Sequence, residues 1–141
     1  MTVNRDPTTK SLSYQIDGGI VYVSVIGEIR GEEQRDFIQK ILSDPAVPSP
    51  LKVLRDARKQ VGLINPKNLP PFVSIAKSAV CKMAIVASED IVFGMARVFR
   101  ARVGENVSVF RDFDEAHEWL LSDEPDPTPP TWFPIKRLLE G

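Results

Sequence analysis

Apolar and polar residues alternate over Leu12-Ser-Tyr14-Gln-Ile16, and a β-branched and aromatic run follows at Ile20-Val-Tyr-Val-Ser-Val-Ile26. A period of two marks strands. Asp17-Gly18-Gly19 between the two runs supplies the positive φ of a tight hairpin, so the chain is expected to open with an antiparallel hairpin. From Glu32 to Leu42 the period lengthens. Phe37, Ile38, Ile41 and Leu42 share one side of a helix, and Glu32, Glu33, Arg35, Asp36, Gln39 and Lys40 take the other. Asp44-Pro45 and Pro48-Ser49-Pro50 punctuate a loop before a short strand, Leu51 to Asp56. Asn65-Pro66 and Asn68-Leu69-Pro70-Pro71 mark the start of a second helix, because proline is accommodated in a first helical turn. Phe72, Ile75, Ala76, Ala79 and Val80 form its apolar stripe.

Cys81 to Ala87 is nearly all apolar, as a strand covered on both faces should be. Ser88 reads as the N-cap of a third helix, with Glu89 and Asp90 in its first turn and Gly104 closing it after about Val103. Asn106 to Phe110 is a fifth strand, and Asp112-Phe-Asp-Glu115 resembles a capping box that opens a fourth helix through Leu121. The expected order is ββαβαβαβα. Strands alternating with helices imply right-handed crossovers and a mostly parallel α/β sheet, antiparallel only at its opening hairpin.

Residues 1–10 are a polar leader expected to be disordered, 11–121 the domain, and 122–141 a proline-rich arm. Pro125, Pro127, Pro129 and Pro130 stiffen that arm, and Trp132, Phe133, Ile135, Leu138 and Leu139 beyond them are expected to dock on the same domain or on a second copy. Phe93 and Trp119 are the expected receiving surfaces. A chain of 141 residues with 43% hydrophobic and 26% charged residues is the size and usage of one globular domain. Its net charge of -1 sets up no broad field for nucleic acid, so none is expected as a partner. No apolar run reaches the length of a membrane span, and the start lacks the apolar stretch of a signal peptide. The single cysteine, Cys81, excludes an intrachain disulfide and a thiolate metal cluster, and its place in a strand suggests a small buried hydrophobe. No metal or cofactor is expected, and the default compartment is a reducing cytoplasm.

The second half of the chain resembles the SpoIIAA-like family, relatives of STAS domains. Met83-Ala-Ile-Val-Ala-Ser88, Ile91-Val-Phe-Gly94-Met-Ala-Arg97-Val-Phe99, Val109-Phe-Arg-Asp112 and Glu115-Ala116…Trp119-Leu120 carry the resemblance in content and spacing. Gly27-Glu-Ile and Leu54-Arg-Asp56-Ala-Arg58 extend it more loosely into the first half, so that it covers residues 12–121. It implies a STAS-like sheet in the order already read and a non-enzymatic module that binds a partner protein. In STAS relatives of this kind a serine opening the helix after the third strand is often phosphorylated. Here no Ser, Thr or Tyr lies between Asp56 and Ser74, so that switch has no hydroxyl to act on.

Nucleophilic catalysis needs a base within reach of a nucleophile. The one histidine, His117, falls beside Phe113, Leu120 and Leu121 and is expected to be a half-buried structural residue. Glu32-Glu33 and Glu89-Asp90 answer helix dipoles, and Gly18-Gly19 is too little for a phosphate cradle. Asp56 and Arg58 sit where the third strand is expected to end, at the carboxyl edge where open α/β sheets gather ligands; Asp56 equally suits a bond from loop amides. In the third helix Ile91, Val92, Met95, Ala96, Val98, Phe99 and Val103 form one arc expected to face the sheet, with Arg102 inside it. Phe93 falls outside the arc between Arg97 and Arg100, the composition of a binding hot spot. The sequence thus supports a regulatory or protein-interaction module, binding a protein partner or forming a homodimer. The alternative is a carrier or sensor of an apolar, lipid-like small molecule held between sheet and helices, which the apolar third helix, Phe72, Phe93 and the Trp132-bearing tail would suit.

Overall fold

The fold is described from a computed structural model, over residues 10–62 and 69–122. The leader through Thr9, the stretch 63–68 with Asn65 and Pro66, the arm from Asp123 and the side chain of Cys81 lie outside the described residues. The elements are β1 (Ser11–Asp17), β2 (Ile20–Gly27), α1 (Gly31–Leu42), β3 (Leu51–Gln60), α2 (Leu69–Ala79), β4 (Val80–Val86), α3 (Asp90–Val103), β5 (Val107–Phe110) and α4 (Phe113–Leu121). The order is the one expected. Gly18 and Gly19 join β1 to β2 with φ of 59° and 83°, and a two-residue turn with both central φ positive matches the twist of the strands it joins.

The five strands lie in sequence order, β1 antiparallel to β2 and every later pair parallel. Each right-handed crossover between sequential neighbours returns on the same side of a sheet. Accordingly α1, α2 and α3 share one face, reached by Val21, Val23, Val53, Met83, Ile85 and Val107. The other face carries α4, whose Ala116, Trp119 and Leu120 pack on Ile20, Leu54, Ala84, Val86 and Phe110. Side chains alternate along a strand. In β3 that parity sends Leu51, Val53, Arg55 and Ala57 toward α1–α3, and Lys52, Leu54, Asp56 and Arg58 toward α4.

Both ends of α4 are tied down. Asp112 Oδ2 accepts from the Glu115 amide at 3.0 Å, the cap expected from the sequence. At the other end Lys82 of β4, only 8% exposed, donates to the carbonyls of Trp119 (2.6 Å) and Ser122 (2.7 Å), with its ammonium 4.4 Å from the Trp119 ring centre. Lys52 donates to the Leu120 carbonyl at 3.2 Å. Two strand cations thus meet the negative end of the helix.

Several expectations are corrected. β3 continues through Gln60, because its pairing with β2 extends to Gly27 and Gln60, so Asp56 and Arg58 lie inside the strand. The N-cap of α3 is Glu89, one residue later than expected, and makes no side-chain cap bond. α3 is also rotated from its expected setting: Ile91 and Val98 are 64% and 44% exposed, Arg102 is exposed, and Val92, Ala96 and Val103 are buried. The apolar arc is wider than the contact surface, and the edge that turns inward is the one that packs Phe93 against Ala57, Ala87 and Val92. Trp119 is 6% exposed and belongs to the core instead of offering a docking surface, because among the described elements α4 is the one that covers this face and it buries a broad arc.

Candidate functional site

Between the sheet and α1–α3 lies a cavity of about 140 Å³, with Ile41, Val53, Phe72, Ala76, Ala96 and Phe99 among its walls. Two features leave this space open. Few backbone positions of α1 lie close to the sheet or the other helices, and it meets the sheet through long side chains such as Phe37 and Ile41. Small side chains, Ala57, Ala76 and Ala96, also stand where sheet and helices face each other. Leu42, 40% exposed, is among the lining residues, so the cavity reaches the surface at the C-terminal end of α1.

The polar part of the lining is Arg55, Gln34 and Gln60. Strand parity turns Arg55 inward, beside Val53 and Ala57. Its Nη2 donates to Gln34 Oε1 at 2.7 Å and to Gln60 Oε1 at 3.3 Å, and among the described residues no carboxylate pairs with it. Burial of the guanidinium pushes its pKa down to about 10, so it remains a cation at neutral pH. Gln34 is 3% exposed, and its buried Nε2 has no hydrogen-bond partner among the described residues. Its orientation follows from the Arg55 bond, since the flipped amide would set two donors against each other. The described lining has no Ser, Cys, His, Asp or Glu, and so offers apolar surface and donors but no nucleophile with a base. Among the described residues no three His, Cys, Asp or Glu gather to hold a metal ion, and no helix is long and apolar enough to cross a membrane.

The residues singled out from the sequence lie elsewhere. Asp56 and Arg58 meet on the opposite face as a fork: Arg58 Nε and Nη2 donate to the two carboxylate oxygens at 2.9 and 2.8 Å, and the Arg58 amide adds a bond at 3.2 Å. The guanidinium holds the Asp56 carboxyl below its usual range and lies 5.2 Å from the centre of the Phe113 ring. Strands in sequence order also have no switch point, the place where such sheets open a crevice at the carboxyl edge. Phe93 is half-buried, with the Arg111 guanidinium 4.0 Å from its ring centre; Arg111 is held by the Ser88 carbonyl (2.6 Å) and Asp90 Oδ1 (2.8 Å). Arg97 is exposed and Arg100 half-buried, and the cation over the Phe93 ring is Arg111, not one of the two arginines expected to flank it. His117 is half-buried and shares a 2.8 Å hydrogen bond with the Tyr22 hydroxyl, in keeping with a structural residue.

No family model and no curated protein matches the chain. Its structure is similar to a crystal structure of an uncharacterised protein of the DUF3478 family with a SpoIIAA-like fold, from Shewanella loihica PV-4. The two share 14% identity with a TM-score of 0.57, covering 85% of this chain and 98% of that one. The chain therefore has a SpoIIAA-like fold, as the resemblance of its motifs implied. At that identity the likeness concerns the fold alone.

Proposed function

We propose that the protein is a non-enzymatic module that holds an apolar small molecule between its sheet and helices α1–α3, as a carrier or sensor. The observation that carries this reading is the apolar cavity on the three-helix face. Side chains in protein interiors are normally close-packed, and larger residues at Ala76 or Ala96 would close the space. An apolar cavity of about 150 Å³ accommodates a benzene-sized ligand. The lining supports binding over reaction, since it pairs apolar walls with fixed donors. Titrating ¹⁵N-labelled protein with toluene tests this. Saturable shifts confined to the cavity walls, such as Ala76, Ile85 and Ala96, are expected. Absence of such shifts up to millimolar toluene would reject the proposal.

A second reading, a regulatory module that binds a partner protein or a second copy, draws support from the outer side of α3. There Ile91 and Val98 are exposed beside Arg97. Ile91→Ser with Val98→Ser would then abolish the association while leaving toluene binding unchanged.

A further inference from the structure

We propose that the cavity is a site for a small monocarboxylate, whose apolar body lies among α1–α3 and whose carboxylate is received by Arg55 and Gln34. This rests on the reading of the cavity as a ligand site and adds the chemical class of the ligand.

Three observations lead to it. The first is a surplus of donors. A guanidinium carries five N–H groups, and the bonds Arg55 makes among the described residues both run from Nη2. Among those residues nothing accepts from Nε or Nη1, which leaves their N–H groups for an incoming acceptor. Gln34 Nε2 is a further donor, buried and without a partner among the described residues. One residue lining the same end of the cavity thus has donors to spare, and its hydrogen-bonded neighbour has an orphan. Both belong to different elements, β3 and α1, so the arrangement is not a local turn bond.

The second is charge. A half-buried cation whose guanidinium bonds only to neutral amides is poorly compensated, and the described lining contains no acid to balance it. The stretch 63–68, Leu-Ile-Asn-Pro-Lys-Asn, has none in its sequence either. An anion would compensate the charge, and a carboxylate accepts from a guanidinium through both its oxygens. Arg55 is the single charged residue among the described lining, which matches one negative charge. A phosphate dianion would bring excess charge into an apolar space. A neutral carbonyl would satisfy the donors and leave the charge uncompensated.

The third is size. A cavity of about 140 Å³ takes an aromatic ring or a short branched chain, not a long acyl chain. Benzoate, phenylacetate and short branched-chain acids have the required form, an apolar body ending in one carboxylate.

Isothermal titration with benzoate, benzyl alcohol and toluene tests the proposal on the wild type, Arg55→Met and Gln34→Leu. A bond to a charged group is worth about a tenfold change in affinity or more. Wild type should therefore bind benzoate at least about tenfold more tightly than benzyl alcohol. Arg55→Met should bind toluene as the wild type does and lose the benzoate preference. Gln34→Leu, which keeps the cation and removes the amide, should reduce that preference severalfold. Should Arg55→Met prove unfolded by circular dichroism, Gln34→Leu carries the test with the same readout. If toluene binds while benzoate binds no better than benzyl alcohol, the carboxylate site is refuted and the apolar cavity stands. If the preference survives in both variants, the assignment to Arg55 and Gln34 is refuted. If none of the three probes binds, both proposals fall.

Discussion

Replacing Ala76 by leucine should stabilise the protein while closing its cavity. Ala76 is 2% exposed on α2 and stands in the cavity wall. Empty core volume costs about 24 cal/mol per Å³, so a void of about 140 Å³ represents about 3 kcal/mol of stability forgone. The three added carbons of leucine fill roughly half of it, worth about 1.5 kcal/mol before any strain is subtracted. Ala116 provides the control. It is 0% exposed on α4, where that helix packs on the other sheet face, and the added carbons have no comparable space to enter. Overpacking of that kind costs about 1–3 kcal/mol. Both changes are Ala→Leu inside a helix, so propensity differences cancel between them. Urea unfolding should show Ala76→Leu gaining about 1 kcal/mol and Ala116→Leu losing a similar amount or more. Toluene and benzoate should no longer bind the first variant. Equal destabilisation of the two would refute the idea that α1–α3 enclose usable space.

Other expectations follow from the same geometry. Lys82→Met keeps the side chain's bulk but leaves the Trp119 and Ser122 carbonyls without their charged donor, and should cost about 3 kcal/mol by denaturant unfolding; a loss below about 1 kcal/mol would show that the contact contributes little. Arg97→Ala, an exposed change, should stay within about 0.5 kcal/mol of wild type. Stability should fall as the pH drops below about 4. Glu33, Asp44 and Asp56 are held below their usual values, first by the Arg30 amide, the Tyr14 hydroxyl and the Arg58 side chain respectively. Their folded forms bind protons less readily than the unfolded chain, so their contribution is present above the ordinary carboxylate range and is lost as the pH falls through the depressed values. Asp56→Asn should therefore be less stable at neutral pH and show a shallower acid loss, measured by pH-dependent unfolding; an unchanged acid profile would contradict the assignment.

The order of elements could be read because local rules and the fold agree. Gly18-Gly19 lies in the one kind of turn that needs two positive φ values, and Asp112 caps α4 as its spacing with Glu115 implies. The setting of α3 could not be read in the same way. Its apolar residues run more than halfway round the helix, and periodicity alone does not say which part meets the sheet. The inward turn of Phe93 depends on Ala57 and Ala87, two small residues on other elements that leave room for the ring. Lys82 was hidden inside an apolar strand because its partners are carbonyls at the end of α4, distant in sequence. Arg55 carried a weak signal. In Leu51-Lys-Val-Leu-Arg-Asp-Ala57 it shares parity with Val53 and Ala57, which places a cation on an apolar face. A strand that ends at Asp56 hides that parity, and the charged pair Asp56 and Arg58 of the opposite face then stands out instead.

The two faces of the sheet also differ in what they can give up. α4 is held by a cap at one end and lysines at the other, and its aromatic residues fill the space above β3–β5. The opposite face must accommodate three crossover helices, and α1 stands off from it. Closing α1 down would bring apolar side chains onto the Arg55 guanidinium, which pairs with no carboxylate among the described residues and whose acceptors there are the side chains of Gln34 and Gln60. A half-buried cation among amides therefore resists collapse of the cavity from that end. Arg55→Met should remove that resistance at the polar end only, leaving Ile41, Phe72, Ala76 and Ala96 to hold toluene as in the wild type.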